Sequence, residues 1–223
     1  MIGPLDQPPS ADAVSPPYPV RATGRIVTDP ITLAGRHVRL EPLAATHLEA
    51  LCAAGLGADV FRWYPAPVTD RDAMARWVDT ALTDQAAGRA LPFVTIDATT
   101  GRVAGSTRFF AIDHANRRAE IGNTWLGPDF QRTALNTEAK LLMLAHAFEV
   151  WGCIRIEFKT DSNNAKSRAA LARIGAVEEG TFRNHMVRAD GSLRHSVYFS
   201  ITDREWPACK AALLTKLTRQ EPA

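Results

Sequence analysis

Between residues 91 and 160 the chain passes through three strand-like stretches, one long helical stretch and a fourth strand, an order that few folds accommodate. Leu91 to Asp97, Val103 to Asp113 and Ala119 to Leu126 are rich in β-branched and aromatic residues. They are separated by the Thr99-Thr100-Gly101 turn and closed by Gly127-Pro128, and runs bounded in this way read as strands. Thr133 to Val150 then lines up Leu141, Leu142, Leu144, Ala145 and Phe148 on one helical face. Ile154 to Thr160 alternates Ile154, Ile156 and Phe158 inward against Arg155, Glu157 and Lys159. Briefly linked strands pair antiparallel, whereas a strand–helix–strand crossover makes its two strands parallel. The expectation is an α/β fold on one mixed sheet, antiparallel at first and parallel in the middle.

The flanking elements extend this plan. His37 to Leu43 alternates Val38, Leu40 and Pro42 with Arg39 and Glu41, a half-buried strand. Helices are expected from Thr46 to near Gly55, from Asp70 to near Gly88, and from Asn164 to Ile174 with Gly175 as the stop. Val177 to Val187 and Leu193 to Ile201 read as strands joined around Asp190-Gly191, and Thr202-x-x-Glu205 has the form of a capping box opening a last helix. The sum is about seven strands flanked by about five helices, in a single domain over residues 30–223. Residues 1–29 hold Pro4, Pro8, Pro9, Pro16, Pro17 and Pro19 and little apolar surface, which reads as a disordered or extended arm. Tyr18 and Val20 are its anchors if it docks.

A chain of 223 residues suffices for one domain with a real core. Its net charge of +2 demands neither a nucleic-acid nor a membrane-surface partner. Cys52, Cys153 and Cys209 lie far apart and match no metal-ligand spacing, so no metal is expected. So sparse a set suits a reducing cytosol and a cytoplasmic location. No run approaches the roughly 18 to 20 apolar residues of a membrane span, and the first residues lack a secretory pattern.

The chemistry concentrates at one junction. Trp125 to Ala139 runs from strand through turn to helix start. The first turn of a helix exposes unpaired N–H groups and the positive end of the macrodipole. Beside Arg132, with the hydroxyls of Thr133 and Thr137, it suits a phosphate or pyrophosphate. The chain has no Gly-x-Gly-x-x-Gly or Gly-Lys-Ser/Thr loop, so dinucleotide and triphosphate readings have little support.

Several short motifs, in order, resemble the GNAT superfamily of acetyltransferases and its RimJ/RimL-like branch. They are Glu120-Ile121-Gly122 followed by Trp125-Leu126, the turn Gln131-Arg132-Thr133-Ala134-Leu135-Asn136, and Asn164-Ala165-Lys166-Ser167 followed by Leu171 and Gly175. Glu179-Gly180 and Tyr198-x-Ser200-Ile201 before Glu205-Trp206 continue the likeness, which spans Ile31 to Leu217. The resemblance implies a GNAT-like fold that uses acetyl-CoA as cosubstrate and acetylates an amine acceptor by direct attack. It implies that Gln131 to Thr137 hold the pyrophosphate, that backbone groups of Thr124, Trp125 and Leu126 hold the pantetheine, and that Asn164 contacts the pantetheine or caps its helix. Two departures stand out: Ala134 and Asn136 fill the usual glycine positions, and Leu171 stands where many relatives carry a thiolate-protonating tyrosine.

The same resemblance, with its place on the central strand, makes Glu120 the candidate base. The alternative is a solvent-facing carboxylate paired with Arg117 or Arg118. Ser167 is the candidate donor to the CoA sulfur in place of tyrosine, or a capping partner of Asn164. Glu138 reads as a surface charge compensating the helix dipole. His37, His47 and His146 are expected away from the cleft, and His185 and His195 on its acceptor side. Phe61, Trp63 and Tyr64 either shape the acceptor pocket or belong to the core. Exposed edge strands near the C-terminus leave room for a homodimer. The rival readings are a catalytically inactive CoA-binding or regulatory module of the same fold, and a different α/β protein with another phosphate ligand.

Overall fold

A computed structural model describes residues 25–219. Along the chain lie β1 (Leu33–Ala34), β2 (Val38–Pro42), α1 (Leu48–Gly55), α2 (Arg71–Ala86), β3 (Leu91–Asp97), β4 (Val103–Asp113) and β5 (Arg118–Leu126). Then follow α3 (Ala134–Ala145), β6 (Arg155–Asp161), α4 (Ala165–Arg173), β7 (Val177–Val187), β8 (Leu193–Thr202) and α5 (Trp206–Thr218). The strands form one 8-stranded sheet in the order β1-β2-β3-β4-β5-β6-β8-β7. The expected strands are all present, and the addition is the two-residue β1, too short to leave a periodic signal.

Only β5 and β6 run parallel, as a crossover through α3 requires. One hydrophobic cluster packs α3 and α5 on one face of the sheet around Phe109, Ile156, Phe158 and Trp151. A second packs α1 and α2 on the opposite face around Leu51, Met74, Val78 and Trp125. Among the described residues no helix is long and apolar enough to cross a membrane.

Four local expectations are corrected. Ile26 is already buried in the main cluster, so packing begins ahead of residue 30; residues 1–24 of the proposed arm, with Tyr18 and Val20, lie outside the described residues. The long helix stops at Ala145 and passes into a π turn over His146–Val150, where the Trp151 N–H reaches the His146 carbonyl at 3.0 Å. That widened turn leaves Phe148 and Trp151 buried. Ile154 precedes β6 and is 39% exposed, so the inward alternation begins at Ile156. Thr202 ends β8 and α5 opens at Trp206 rather than at Thr202; of the expected capping box one bond forms, the Glu205 carboxylate accepting from the Thr202 N–H at 2.7 Å.

The feature that positions the site is a fork. β5 and β6 pair only at Arg118–Arg155, Ala119–Ile156 and Glu120–Glu157, although β5 continues to Leu126 and β6 to Asp161. β6 stays paired with β8 along its whole length, while β5 stays with β4. Beyond Glu120 the sheet therefore opens into two wings. A bulge on β5 helps to turn them apart: Ser106 faces Trp125 and Arg108 faces Gly122, so Asn123 and Thr124 together oppose Thr107. Asn123 takes the left-handed φ of 49° that such a bulge requires.

Candidate active site

Glu120 stands at the point of the fork. It is 4% exposed, and its carboxylate lies 3.3 Å from the Lys159 ammonium on β6. Burial raises its pKa above the ordinary carboxylate value, and the Lys159 charge and hydrogen bond partly oppose that rise. The solvent-facing alternative is thereby corrected: Arg118 pairs instead with Asp113 and Glu157. Past Glu120, the β6-facing edge of Ile121 to Leu126 has no strand partner among the described residues. Its outward N–H and C=O groups are laid out like those of a sheet edge that accepts an added strand.

At the far end of β5 the chain turns into α3. Thr133 is the N-cap, its hydroxyl accepting from the Leu135 N–H at 3.3 Å and donating to the Phe130 carbonyl at 2.8 Å. Ala134, Leu135 and Asn136 form the first helical turn. Neither Ala134 nor Asn136 has a positive φ; the left-handed residue of this turn is Arg132, at 63°. The backbone path thus needs no glycine at either position, and the first-turn N–H groups of α3 keep the polarity that suits an anion. Gln131 braces the turn, donating to the Leu126 carbonyl at 2.8 Å and accepting from Lys166 on α4. Thr137 stands apart from the others. It is fully buried, and its hydroxyl accepts from Arg173 at 3.1 Å.

On the other wing, β6 leads into α4. Asn164 caps that helix, its side-chain oxygen accepting from the Ser167 N–H at 3.0 Å. The Ser167 hydroxyl makes no hydrogen bond among the described residues. Its helix begins beside Lys166, which reaches Gln131 across the fork. Leu171 is buried in the core and offers no proton. The two helix starts thus flank the open mouth of the fork.

The opposite side of the fork is roofed. The loop between α1 and α2 carries Phe61, Trp63 and Tyr64, and its Pro65 carbonyl accepts from the Ala189 N–H in the β7–β8 turn at 3.1 Å. Phe61 packs against Tyr64 and Trp125, with ring centroids 5.3 and 5.1 Å apart. The core alternative holds for Phe61, which is buried in the second cluster with Tyr64 packed against it. His185 binds Ser196 at 3.0 Å, and His195 accepts from the Asn184 N–H at 2.8 Å. His195 thus fixes the irregular stretch of β7 at Asn184, whose φ is 51°.

Residues 37–177 match the acetyltransferase (GNAT) domain family. The chain belongs to the GNAT family. A GCN5-related N-acetyltransferase from Brucella melitensis has 37% identity and a TM-score of 0.80, over 88% of this chain and 90% of that one. Mycobacterium smegmatis RimJ, in complex with CoA-disulfide, has 27% identity and a TM-score of 0.70, over 87% of this chain and 95% of that one. A Bacillus subtilis (strain 168) protein provisionally named ribosomal N-acetyltransferase YdaF is 34% identical over 106 residues. That match covers 48% of this chain and 57% of the relative, little more than half its length.

Within this GNAT domain one assignment from sequence is overturned. Glu138 is not a surface charge but 7% exposed. Its carboxylate accepts from the N–H groups of Arg36, His37 and Val38 at 2.9, 2.6 and 2.8 Å, tying α3 to the β1–β2 turn. Lys159, Lys140, Arg108 and Arg194 were missed, and each lies on the GNAT sheet or against it. The overlooked signal is a charge inside an otherwise apolar pattern. Lys140 shares a helical face with Met143 and Leu144, and Arg108 sits in a strand whose neighbours Thr107 and Phe109 are buried. Cys153 is buried and its thiol is pushed up to about 12, so it is inert at neutral pH.

Proposed function

We propose that this protein is an N-acetyltransferase, moving an acetyl group from acetyl-CoA to a primary amine in a ternary complex. The observation that carries the reading is the position of Glu120, a buried carboxylate of raised pKa at the last paired residue before β5 and β6 separate. A base poised above the ordinary carboxylate range can remove a proton from an ammonium nucleophile, help typically worth ~10²–10⁴-fold. The residues present fit the cosubstrate. The first turn of α3 from Ala134 to Asn136, with Arg132 beside it, would hold a pyrophosphate. The unpaired edge of Thr124, Trp125 and Leu126 would hold the pantetheine amides as an added strand. Asn164 holds the start of α4 in place, and the Ser167 hydroxyl in that first turn would donate to the thiolate. Acetyl-CoA supplies an activated thioester; the chain supplies alignment, a backbone N–H aimed at the developing charge, and a proton acceptor.

The name of the Bacillus subtilis relative points toward a ribosomal protein amine as acceptor, and a small-molecule amine is the other class. A homodimer is part of the proposal as well. β7 is the outer strand of the sheet, and Phe182 and Val187 on it are 55% and 68% exposed, as a pairing edge would be; sedimentation velocity checks it. No observation favours the inactive alternative. The deciding experiment is calorimetric titration of acetyl-CoA, followed by acetyl transfer to a panel of amines by wild type and Glu120→Gln. Binding with transfer that depends on Glu120 supports the enzyme. Binding without transfer to any amine restores the inactive module, and absence of binding removes the reading.

A further inference from the structure

On the roofed side of the fork, buried hydrogen-bond donors gather without an acceptor. Arg108 is 4% exposed, yet its Nε and Nη2 have no hydrogen-bond partner among the described residues. The Tyr64 hydroxyl and the Trp125 indole N–H are buried and unpartnered in the same way. These groups are neighbours. The Arg108 guanidinium lies 4.6 Å from the Trp77 ring centroid, Trp77 packs against Trp125, and Phe61 touches both Trp125 and Tyr64. Arg108 and Arg194 are both within electrostatic reach of the Tyr64 phenol.

The nearby carboxylates are already engaged. Asp84 pairs with Arg89, Asp161 with Arg188 and Arg194, and Glu120 with Lys159. Stacking on Trp77 stabilises the charge of Arg108 but leaves its in-plane N–H groups unsatisfied. A buried guanidinium without an acceptor is costly, and what would complete it is a group that only accepts, in a planar and anionic form.

We infer that the amine acceptor carries a carboxylate near its amino group, bound by Arg108 and Tyr64 while the amine faces Glu120. The inference rests on the acetyltransferase reading above and names its substrate class. The spacing fits. Arg108 stands directly opposite Gly122 on β5, and a Cβ at Gly122 would meet the Phe110 ring at 2.8 Å and the Glu120 carboxylate at 3.4 Å. The Glu120 carboxylate and the Phe110 ring thus both lie over the residue that Arg108 faces. Two residues along a strand span about 6–7 Å, the reach of one small amino-carboxylate. Cosubstrate phosphates would lie at α3, at the mouth of the fork, so the missing anion belongs to the acceptor. It comes either from a free amino acid or from an acidic residue beside a polypeptide N-terminus, the carboxylate being common to both.

The test measures kcat/KM for matched pairs of acceptors, with acetyl-CoA binding followed alongside. Free amino acids are compared with their carboxamides, and amidated peptides bearing Asp or Glu at the first two positions with the same peptides bearing Asn or Gln. The carboxylate member of one set is expected to be preferred by about ten- to a hundredfold, as for a charge-assisted hydrogen bond; the set that responds identifies the source. Arg108→Met should bring that ratio close to one, chiefly through KM. Arg108→Lys should keep part of it, and Tyr64→Phe should lower it, with thermal unfolding confirming that each variant is folded. Equal turnover within every pair, a preference untouched by Arg108→Met, or transfer to neither member while acetyl-CoA is bound would each overturn the inference. Failure to bind acetyl-CoA would instead overturn the acetyltransferase reading and the inference with it.

Discussion

The Lys140 ammonium on α3 lies 2.9 Å from the Thr124 hydroxyl, on the bulge that helps to open the fork in the sheet. Thr107 completes its surroundings at 3.4 Å, and no carboxylate pairs with it among the described residues. Lys140 is 4% exposed, and burial lowers its pKa to about 7. A strained stretch of β5 is thus held from beneath by a lysine that is neutral over much of the alkaline range.

This burial makes stability depend on pH. In the unfolded chain Lys140 keeps an ordinary pKa of about 10.4. Below pH 7 it is protonated in both states, and the native protein bears the full cost of a buried charge. Between about pH 7 and pH 10 the unfolded chain binds more protons, so stability rises with pH. Lys140→Met should flatten that rise and gain on the order of 5 kcal/mol at pH 6. Urea unfolding of both proteins at pH 6 and pH 9 checks it.

With Glu120 as the proposed base, Glu120 and Lys159 should set the acid limb of the reaction. The rate should fall as pH drops through a pKa above the ordinary carboxylate value, because the base must be ionised and burial resists ionisation. Lys159 lowers that pKa, so Lys159→Met should move the acid limb to higher pH. Glu120→Gln should lower kcat by ~10²–10⁴-fold while acetyl-CoA affinity is retained. Profiles of kcat against pH for the three proteins decide the matter.

Ala134 has little side chain to obstruct an anion at the N-terminus of α3, and it occupies a helical position. Ala134→Trp should abolish detectable acetyl-CoA binding in calorimetry while leaving the melting temperature within a few degrees. Thr133→Ala should instead act on the fold, costing about 1 kcal/mol through loss of the cap. A tryptophan variant that binds as the wild type does would place the cosubstrate elsewhere.

Glu138 has a different use. Its carboxylate satisfies successive N–H groups of the β1–β2 turn, and a Cβ on Gly35 would come within 2.4 Å of it. Glu138→Ala should destabilise the protein by about 2–4 kcal/mol through buried, unpaired donors. The affinity of the folded variant for acetyl-CoA should not change. Denaturant unfolding paired with titration separates the two effects.

Much of the site was legible because it follows from local order. Gly127-Pro128 ends a strand, Thr133 caps a helix, and Asn164 caps the next, and each of these acts within a few residues of itself. Glu138 was misread for the same reason. Five residues past its cap it looks like a dipole charge, and nothing nearby in the chain announces a turn about 100 residues upstream. Lys159 was read only as the outward member of an alternating strand, since its partner lies on the neighbouring strand.

By itself the sequence determined most of the elements, their order and a sheet antiparallel at first and parallel in the middle, because periodicity and caps are short-range and the crossover through α3 admits one direction. Tertiary structure alone decided where β5 and β6 part, and which buried charges meet there. Ion pairing and desolvation depend on distances between elements far apart in the chain. Arg108 illustrates the difference: in sequence it is one more polar residue in a strand, and only the packed sheet leaves its nitrogens buried with no acceptor.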